Sequence, residues 1–392
     1  MASKISLGFS GIIFWWVAAR FYSIDDIGLA SALISVVSLL IFVASLGLAP
    51  TFVRFLPQNE DRSKLLGTFL GFSLSLLIFL SLSLLIGIDF FLPKLSLLKV
   101  SFYPLIFLFF VVTMFLFTCF EGIFLAYQET PLALIKNLVQ NFLRIGFLFV
   151  FIFWRSFGIF SANCLAAALA LIFSFIFFVR KYPNFKIRLR IDFSILRNLL
   201  PFSLVNFFNA ATLYLPGMIF PLIILSLFSE REVGLFYVPW MIFSVYCSFI
   251  ASISSVFLMQ AAHGEDVKAL LRKTISFCFL LSILGFVLFY FWGEGILLLF
   301  KKDFFFHSFG ILKVLFLSIF SFTINQIYLT LKNIKNEIFD FFSLSFIILI
   351  SLIFFVIILL FKMGSLGMAY SWLFSQLIGN VYLLSKILIK KD

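Results

Sequence analysis

The chain has 392 residues, of which 63% are hydrophobic and only 12% charged, with a mean hydropathy of +1.19. A soluble domain is about 45–50% apolar and about 25% charged, so lipid rather than water must solvate most of this chain. The formal charge of +12 does not mark a nucleic-acid binder, because Lys and Arg sit in short loops between apolar runs, the pattern that sets membrane topology.

A helix needs about 20 mostly apolar residues to cross a bilayer. That rule predicts twelve spans: 5–22, 28–52, 66–91, 102–126, 132–154, 158–179, 199–227, 235–259, 272–292, 308–331, 340–361 and 365–388. Only helices or closed barrels can cross lipid, and these runs are too long and too continuous for alternating barrel strands. The fold class is therefore an all-α polytopic membrane protein. The first run, ending Ala18-Ala19-Arg20, has the look of a signal peptide, but cleavage would remove one member of the duplicated pair described below. With the N-terminus inside, 20 of the 29 Lys and Arg residues fall on the inner side and 9 on the outer. This bias predicts a multi-pass protein of the cell (inner or plasma) membrane with both termini cytoplasmic.

The basic stretch in the middle divides the chain. Arg180, Lys181, Lys186, Arg188, Arg190 and Arg197 crowd around a single acid, Asp192. We read 1–180 as an N-terminal six-helix lobe, 181–198 as a cytoplasmic hinge and 199–392 as a C-terminal six-helix lobe. The second lobe repeats the first. Ser23-Ile24-Asp25-Asp26-Ile27-Gly28-Leu29 after span 1 answers to Ser229-Glu230-Arg231-Glu232-Val233-Gly234-Leu235 after span 7, with the glycines 206 residues apart. Gly158 and Gly364, opening spans 6 and 12, share that offset of 206, as do the loops 126–130 and 332–336. A six-span unit starts and ends on one side, so the copies point the same way. Parallel repeats of this kind place a substrate path between two lobes.

Chemistry-bearing residues are few. Cys119, Cys164, Cys247 and Cys278 lie in apolar runs without CxxC spacing and read as buried thiols. His263 and His307 are far apart in sequence, which argues against a zinc site or a catalytic dyad. No GxxxxGK[ST] loop occurs. No metal and no cofactor are expected.

The acid-Ile/Val-Gly-Leu turn after spans 1 and 7 resembles the "peEyGlya" signature of polysaccharide exporters. Ser45-Leu46-Gly47-Leu48 followed by Val53-Arg54-Phe55-Leu56 is similar to their "lGl…vRfla" end of helix two. The hinge with Leu199-Leu200-Pro201-Phe202-Ser203 resembles their linker and "l.fglPl" entry to helix seven. The whole chain thus resembles the polysaccharide transporter (oligosaccharide flippase) branch of the multidrug/oligosaccharidyl-lipid/polysaccharide (MOP) superfamily. It departs from many members in having only a few residues before the first span. The resemblance implies twelve helices in two lobes, alternating access, and no enzymatic activity. It implies passage of an undecaprenyl- or dolichyl-linked oligosaccharide from the cytoplasmic to the outer leaflet. The implied partners are a lipid-diphosphate-linked oligosaccharide, membrane lipids and other polysaccharide-assembly membrane proteins.

Such a substrate asks for cations to meet a diphosphate and for hydrogen-bonding groups to meet sugars, and charges within spans are functional suspects. Arg144 lies about twelve residues into span 5, roughly 18 Å deep; it faces either the cavity or an internal partner between helices. Glu121 and Lys136 lie at similar depth on sequential helices, which makes them a salt bridge or makes Glu121 an ion-coupling carboxylate. Arg54, at the inner end of span 2, is a headgroup receiver or an interfacial anchor. Arg20 and Lys313, at outer ends, snorkel or line an outer cavity. Asn206, Asn209 and Asn325 are sugar-binding candidates, with polar packing between helices as the alternative. Pro216 and Pro221 make span 7 a bending point or a static kink. Gly67 and Gly71 point to close helix packing.

Two other functions compete. A drug/cation antiporter of the same superfamily would be expected to carry more acids deep in its helices. A membrane glycosyltransferase could use Asp25-Asp26, but such enzymes usually have large outer loops, and this chain has short ones.

Overall fold

In hydrocarbon every backbone N–H and C=O must find a partner inside the chain, and a helix satisfies them locally. The computed structural model describes residues 2–57, 61–183, 187, 189, 191–262, 266–335 and 337–389; within helices, 2–9, 49, 205, 209, 259, 262, 305, 338 and 387–389 are described by backbone alone. Lys186, Arg188 and Arg190 of the expected hinge, His263, Asn336, Lys390, Lys391 and the side chain of Asn209 lie outside the described residues.

No strand occurs among the described residues. The helices are α1 (Ala2–Phe21), α2 (Ile24–Ser45), α3 (Leu48–Phe55), α4 (Arg62–Phe91), α5 (Tyr103–Ala126), α6 (Thr130–Val150), α7 (Arg155–Lys181), α8 (Phe193–Leu227), α9 (Glu230–Ala262), α10 (Val267–Phe291), α11 (Gly293–Phe300), α12 (Lys302–Leu317), α13 (Ile319–Ile334) and α14 (Ile338–Ile389). Among the described residues ten helical stretches are long and apolar enough to cross a bilayer, and Ser10–Phe21 adds a shorter apolar one. α14 holds the eleventh and twelfth expected spans, and Gly364 (φ 57, ψ −139) breaks the helix between them. The protein is an all-α polytopic membrane protein. All four cysteines are buried and free.

The chain forms two compact units, one of Met1–Arg20 with Arg231–Asp392 and one of Phe21–Glu230. They cut the chain at other places than the duplication does. α1 belongs with the second half of the sequence, and α8 with the first. The side chains give the reason. In the first unit the Trp16 indole and the Arg20 Nε–H both donate to the Leu299 carbonyl at the end of α11, at 2.7 and 3.1 Å. Trp15 packs edge-on against Tyr237 of α9 at 4.8 Å.

In the second unit α8 is seated on the end of α2. That helix stops where Leu46 (φ 45) and Gly47 (φ 78) both turn left-handed, and α3 then continues the span. Ser203 of α8 donates its hydroxyl to the Leu46 carbonyl. A Cβ at Gly47 would collide with the Ser203 carbonyl oxygen, so glycine is needed both for its backbone angle and for the close approach. The start of α8 is pinned as well: Asp192 caps the helix, pairs with Lys64 at 2.6 Å and donates its N–H to Thr68 Oγ1 at 3.2 Å. Gly71 faces Ile191 of the linker rather than another span.

The duplication shows in fastenings that recur within each unit. An acid on the first turn of α2, Asp26, accepts from the Ser156 N–H at 3.1 Å; its counterpart on α9, Glu232, accepts from the Ser365 hydroxyl at 2.6 Å. The residue before each serine has the same unusual backbone, Arg155 at φ 51, ψ −131 and Gly364 at φ 57, ψ −139. Three residues beyond each comes a glycine whose added Cβ would strike a carbonyl, Phe151 for Gly158 and Leu359 for Gly367. The structural partner of Gly158 is therefore Gly367 rather than Gly364, and the offset is 209 here against 206 for Asp26 and Glu232. The shift is three residues, about one helical turn. At the other end of the units, Glu129 pairs with Lys181 at 2.6 Å, and Asp340 pairs with Lys386 and, at 2.6 Å, with Lys332.

Gly47→Ala is expected to destabilise the protein by about 1–3 kcal/mol, the cost of a strained backbone joined to overpacking. Thermal unfolding of the purified chain in detergent measures this; an unchanged midpoint would show that α8 is not seated on this turn.

Candidate functional site

The most polar membrane helix is α6, and its polarity is turned inward. Lys136, Asn137, Gln140 and Asn141 are all buried, and half-buried Arg144 follows one turn later. Spacing of three and four residues puts them on one face. The opposite face is apolar and outward, with Ile135, Phe142, Phe149 and Val150 exposed. α6 packs against α5 and α7. On α7, Ala162, Ala166, Ala167 and Ala170 are fully buried, and small residues of this kind let helices approach closely in a membrane.

A charge taken out of water needs partners. Lys136 is 0% exposed and has three. Its ammonium donates to the Phe117 carbonyl at 2.7 Å, lies 3.5 Å from the Phe117 ring centroid, and sits 3.5 Å from Glu121 Oε2. Asn137 Nδ2 donates to the other carboxylate oxygen at 3.5 Å. The Glu121–Lys136 ion pair read from the sequence is thus formed. Further along the face, both amide atoms of Asn141 and the Asn137 Oδ1 are buried without a hydrogen-bond partner among the described residues. The Arg144 Nε is buried beside them on the same face. The face carries two cations, Lys136 and Arg144, and the acid that meets Lys136, Glu121, comes from α5.

The other residues singled out in the sequence are dispersed. Arg54 is exposed and lies over the Phe202 ring at 4.7 Å. Arg20 is tied to Leu299, as above, and Lys313 lies 4.0 Å from the Phe309 ring centroid. Asn206 Nδ2 donates to the Phe202 carbonyl one turn back on its own helix, at 2.8 Å. Asn325 Nδ2 donates at 2.9 Å to both the Gln376 carbonyl and its Oε1, joining α13 to α14. α8 is continuous through Pro201, Pro216 and Pro221. Asn137, Gln140 and Asn141 are absent from the sequence reading, which weighed charges before amides; their helical period inside an apolar run was the available signal.

Outside the spans, Glu129 is held below the ordinary carboxylate range by hydrogen bonds from Lys181 and from the Tyr182 hydroxyl (2.5 Å). The Tyr22 hydroxyl, at the end of span 1, donates to the Leu148 carbonyl at 2.7 Å.

The helix order and breaks define a class, the fold of MOP superfamily transporters of known structure. The lipid II flippase MurJ, in an inward closed conformation, matches at TM-score 0.76 and 14% identity, covering 98% of this chain and 86% of MurJ. An inward-facing multidrug resistance MATE family transporter of the MOP superfamily matches at 0.71 and 16% identity, covering 100% and 95%. The MATE multidrug transporter DinF-BH matches at 0.62 and 18% identity, with coverage of 100% and 95%. Residues 8–259 match the family described as polysaccharide biosynthesis protein, and the chain belongs to that family. No curated protein matches it in sequence.

The ion pair on α6 yields a test. Glu121→Gln leaves Lys136 buried without its carboxylate. The expected loss is roughly 1–3 kcal/mol, below the 3–5 typical of a fully buried pair because the Glu121 side chain is 32% exposed. Adding Lys136→Met should restore most of it, and additive losses in the double variant would show that the two residues do not interact.

Proposed function

We propose that this protein moves a lipid-diphosphate-linked oligosaccharide from the cytoplasmic to the outer leaflet by alternating access between two duplicated lobes. The observation that carries the reading is the inward polar face of α6, which brings Lys136 and Arg144 together with the Asn141 amide and Asn137 Oδ1, buried without a hydrogen-bond partner among the described residues. Arg144 is the residue assigned to the diphosphate. A guanidinium offers a planar fork that matches phosphate oxygens, and Asn137, Gln140 and Asn141 supply the donors and acceptors a sugar needs. Membership in a polysaccharide biosynthesis family supports the substrate class. The likeness to a lipid II flippase supports the fold's suitability for lipid-linked cargo.

In this reading both termini are cytoplasmic, Arg54 receives the headgroup on entry, and Arg20 and Lys313 line the exit. Asn206 and Asn325 serve packing, in keeping with their carbonyl partners. Asn209 remains a sugar-binding candidate. Pro216 and Pro221 are the point at which α8 flexes during the cycle. Glu121 holds Lys136 in place rather than coupling an ion. The drug/cation antiporter is the second reading, because the fold is shared with MATE transporters; the excess of cations on α6 favours an anionic cargo.

Proteoliposomes carrying a fluorescent lipid-diphosphate-linked oligosaccharide test the proposal. The native chain should flip the lipid, and Arg144→Gln should slow flipping by about 10–100-fold, the worth of one charge-assisted hydrogen-bond pair. Export of an organic cation with no flipping of the lipid would overturn the substrate assignment.

A further inference from the structure

A concavity lies at the ends of α3, α5 and α7, just before the start of α6. It is a cleft of about 260 Å³ lined by Leu56, Pro57, Arg62, Ala126, Tyr127, Gln128 and Tyr182. Three connections meet there: the one after α3, the one between α5 and α6, and the end of α7. All the lining residues belong to one compact unit.

Its chemistry is graded. Leu56, Pro57 and Ala126 make an apolar floor. Tyr127 and Tyr182 make a wall, with ring centroids 5.0 Å apart. Arg62 stands at the rim, exposed, 5.5 Å from the Tyr127 ring, and gives one N–H to the Pro57 carbonyl at 3.2 Å. A guanidinium has five N–H groups, and Arg62 makes no ion pair with a described residue. The neighbouring lysines are differently placed, since Lys64 is paired with Asp192 and Lys181 with Glu129. Gln128 holds a left-handed backbone (φ 60) unusual for a side-chain-bearing residue. Strain of this kind collects at binding sites.

We propose that this cleft binds the phosphate headgroup of an anionic membrane phospholipid, with Arg62 on the phosphate and the tyrosines against the glycerol backbone. Its volume lies below the roughly 300–1,000 Å³ of sites that enclose drug-sized ligands, so it holds a headgroup and not an oligosaccharide. The helix ends around it place it level with the membrane interface, where tyrosine and arginine anchors gather.

Native mass spectrometry of the full chain, released from nanodiscs of equal phosphatidylglycerol and phosphatidylcholine, reads the preference directly. The wild type should retain phosphatidylglycerol over phosphatidylcholine by about fivefold, the effect of one interfacial cation. Arg62→Gln should bring the ratio to about one, and Arg62→Lys should keep part of it. A wild-type ratio in Arg62→Gln overturns the site. Retention of millimolar inorganic phosphate in place of the lipid overturns the lipid assignment and makes free phosphate the ligand.

Discussion

Hydrocarbon offers no hydrogen-bond partner, and this constraint orders the whole structure. Backbone groups satisfy it by forming helices. Side chains satisfy it by turning inward, and α6 shows how far that goes: its apolar residues face out and its lysine, arginine and amides face in. In water such a helix would fold the other way round. Lys136 can be fully buried only because Glu121, Asn137 and the Phe117 carbonyl converge on the same point from α5 and α6. Asn141, without such partners among the described residues, is the position where an incoming polar ligand or water gains most.

Fastenings at the ends of the spans fix which helices travel together. Ser203 on Leu46, with the glycine-only approach at Gly47, binds α8 to the first half of the sequence. Trp16 and Arg20 on Leu299 bind α1 to the second. The compact units thus do not coincide with the halves that the sequence repeat marks. The acid-to-serine contact recurs in both halves in geometry, although the side chains that make it differ.

Much of this was legible in the sequence. The spans follow from hydropathy and the Glu121–Lys136 pair from depth on adjacent helices, whereas the break at Gly47 lies inside the expected span 28–52. The register of the last repeat was misread because identical glycines were matched to each other. The backbone instead pairs Arg155 with Gly364, so one copy carries an arginine where the other carries a glycine. The seating of α1 and α8 was not legible, since it depends on contacts between residues such as Leu46 and Ser203 that share no pattern. The buried amides of α6 went unseen for a different reason: uncharged residues do not stand out in a hydropathy profile, and only their period gives them away.

The central claim, that the inward face of α6 is the surface that meets the cargo, is tested most directly by cysteine accessibility. Asn141→Cys and Phe142→Cys are compared in membranes, using a small hydrophilic thiol reagent with and without the lipid-diphosphate-linked oligosaccharide. The account predicts that Asn141→Cys reacts from the aqueous phase and is protected by the substrate, while Phe142→Cys, facing lipid, does not react. Equal silence at both positions, or labelling of Asn141→Cys that the substrate leaves untouched, would contradict it.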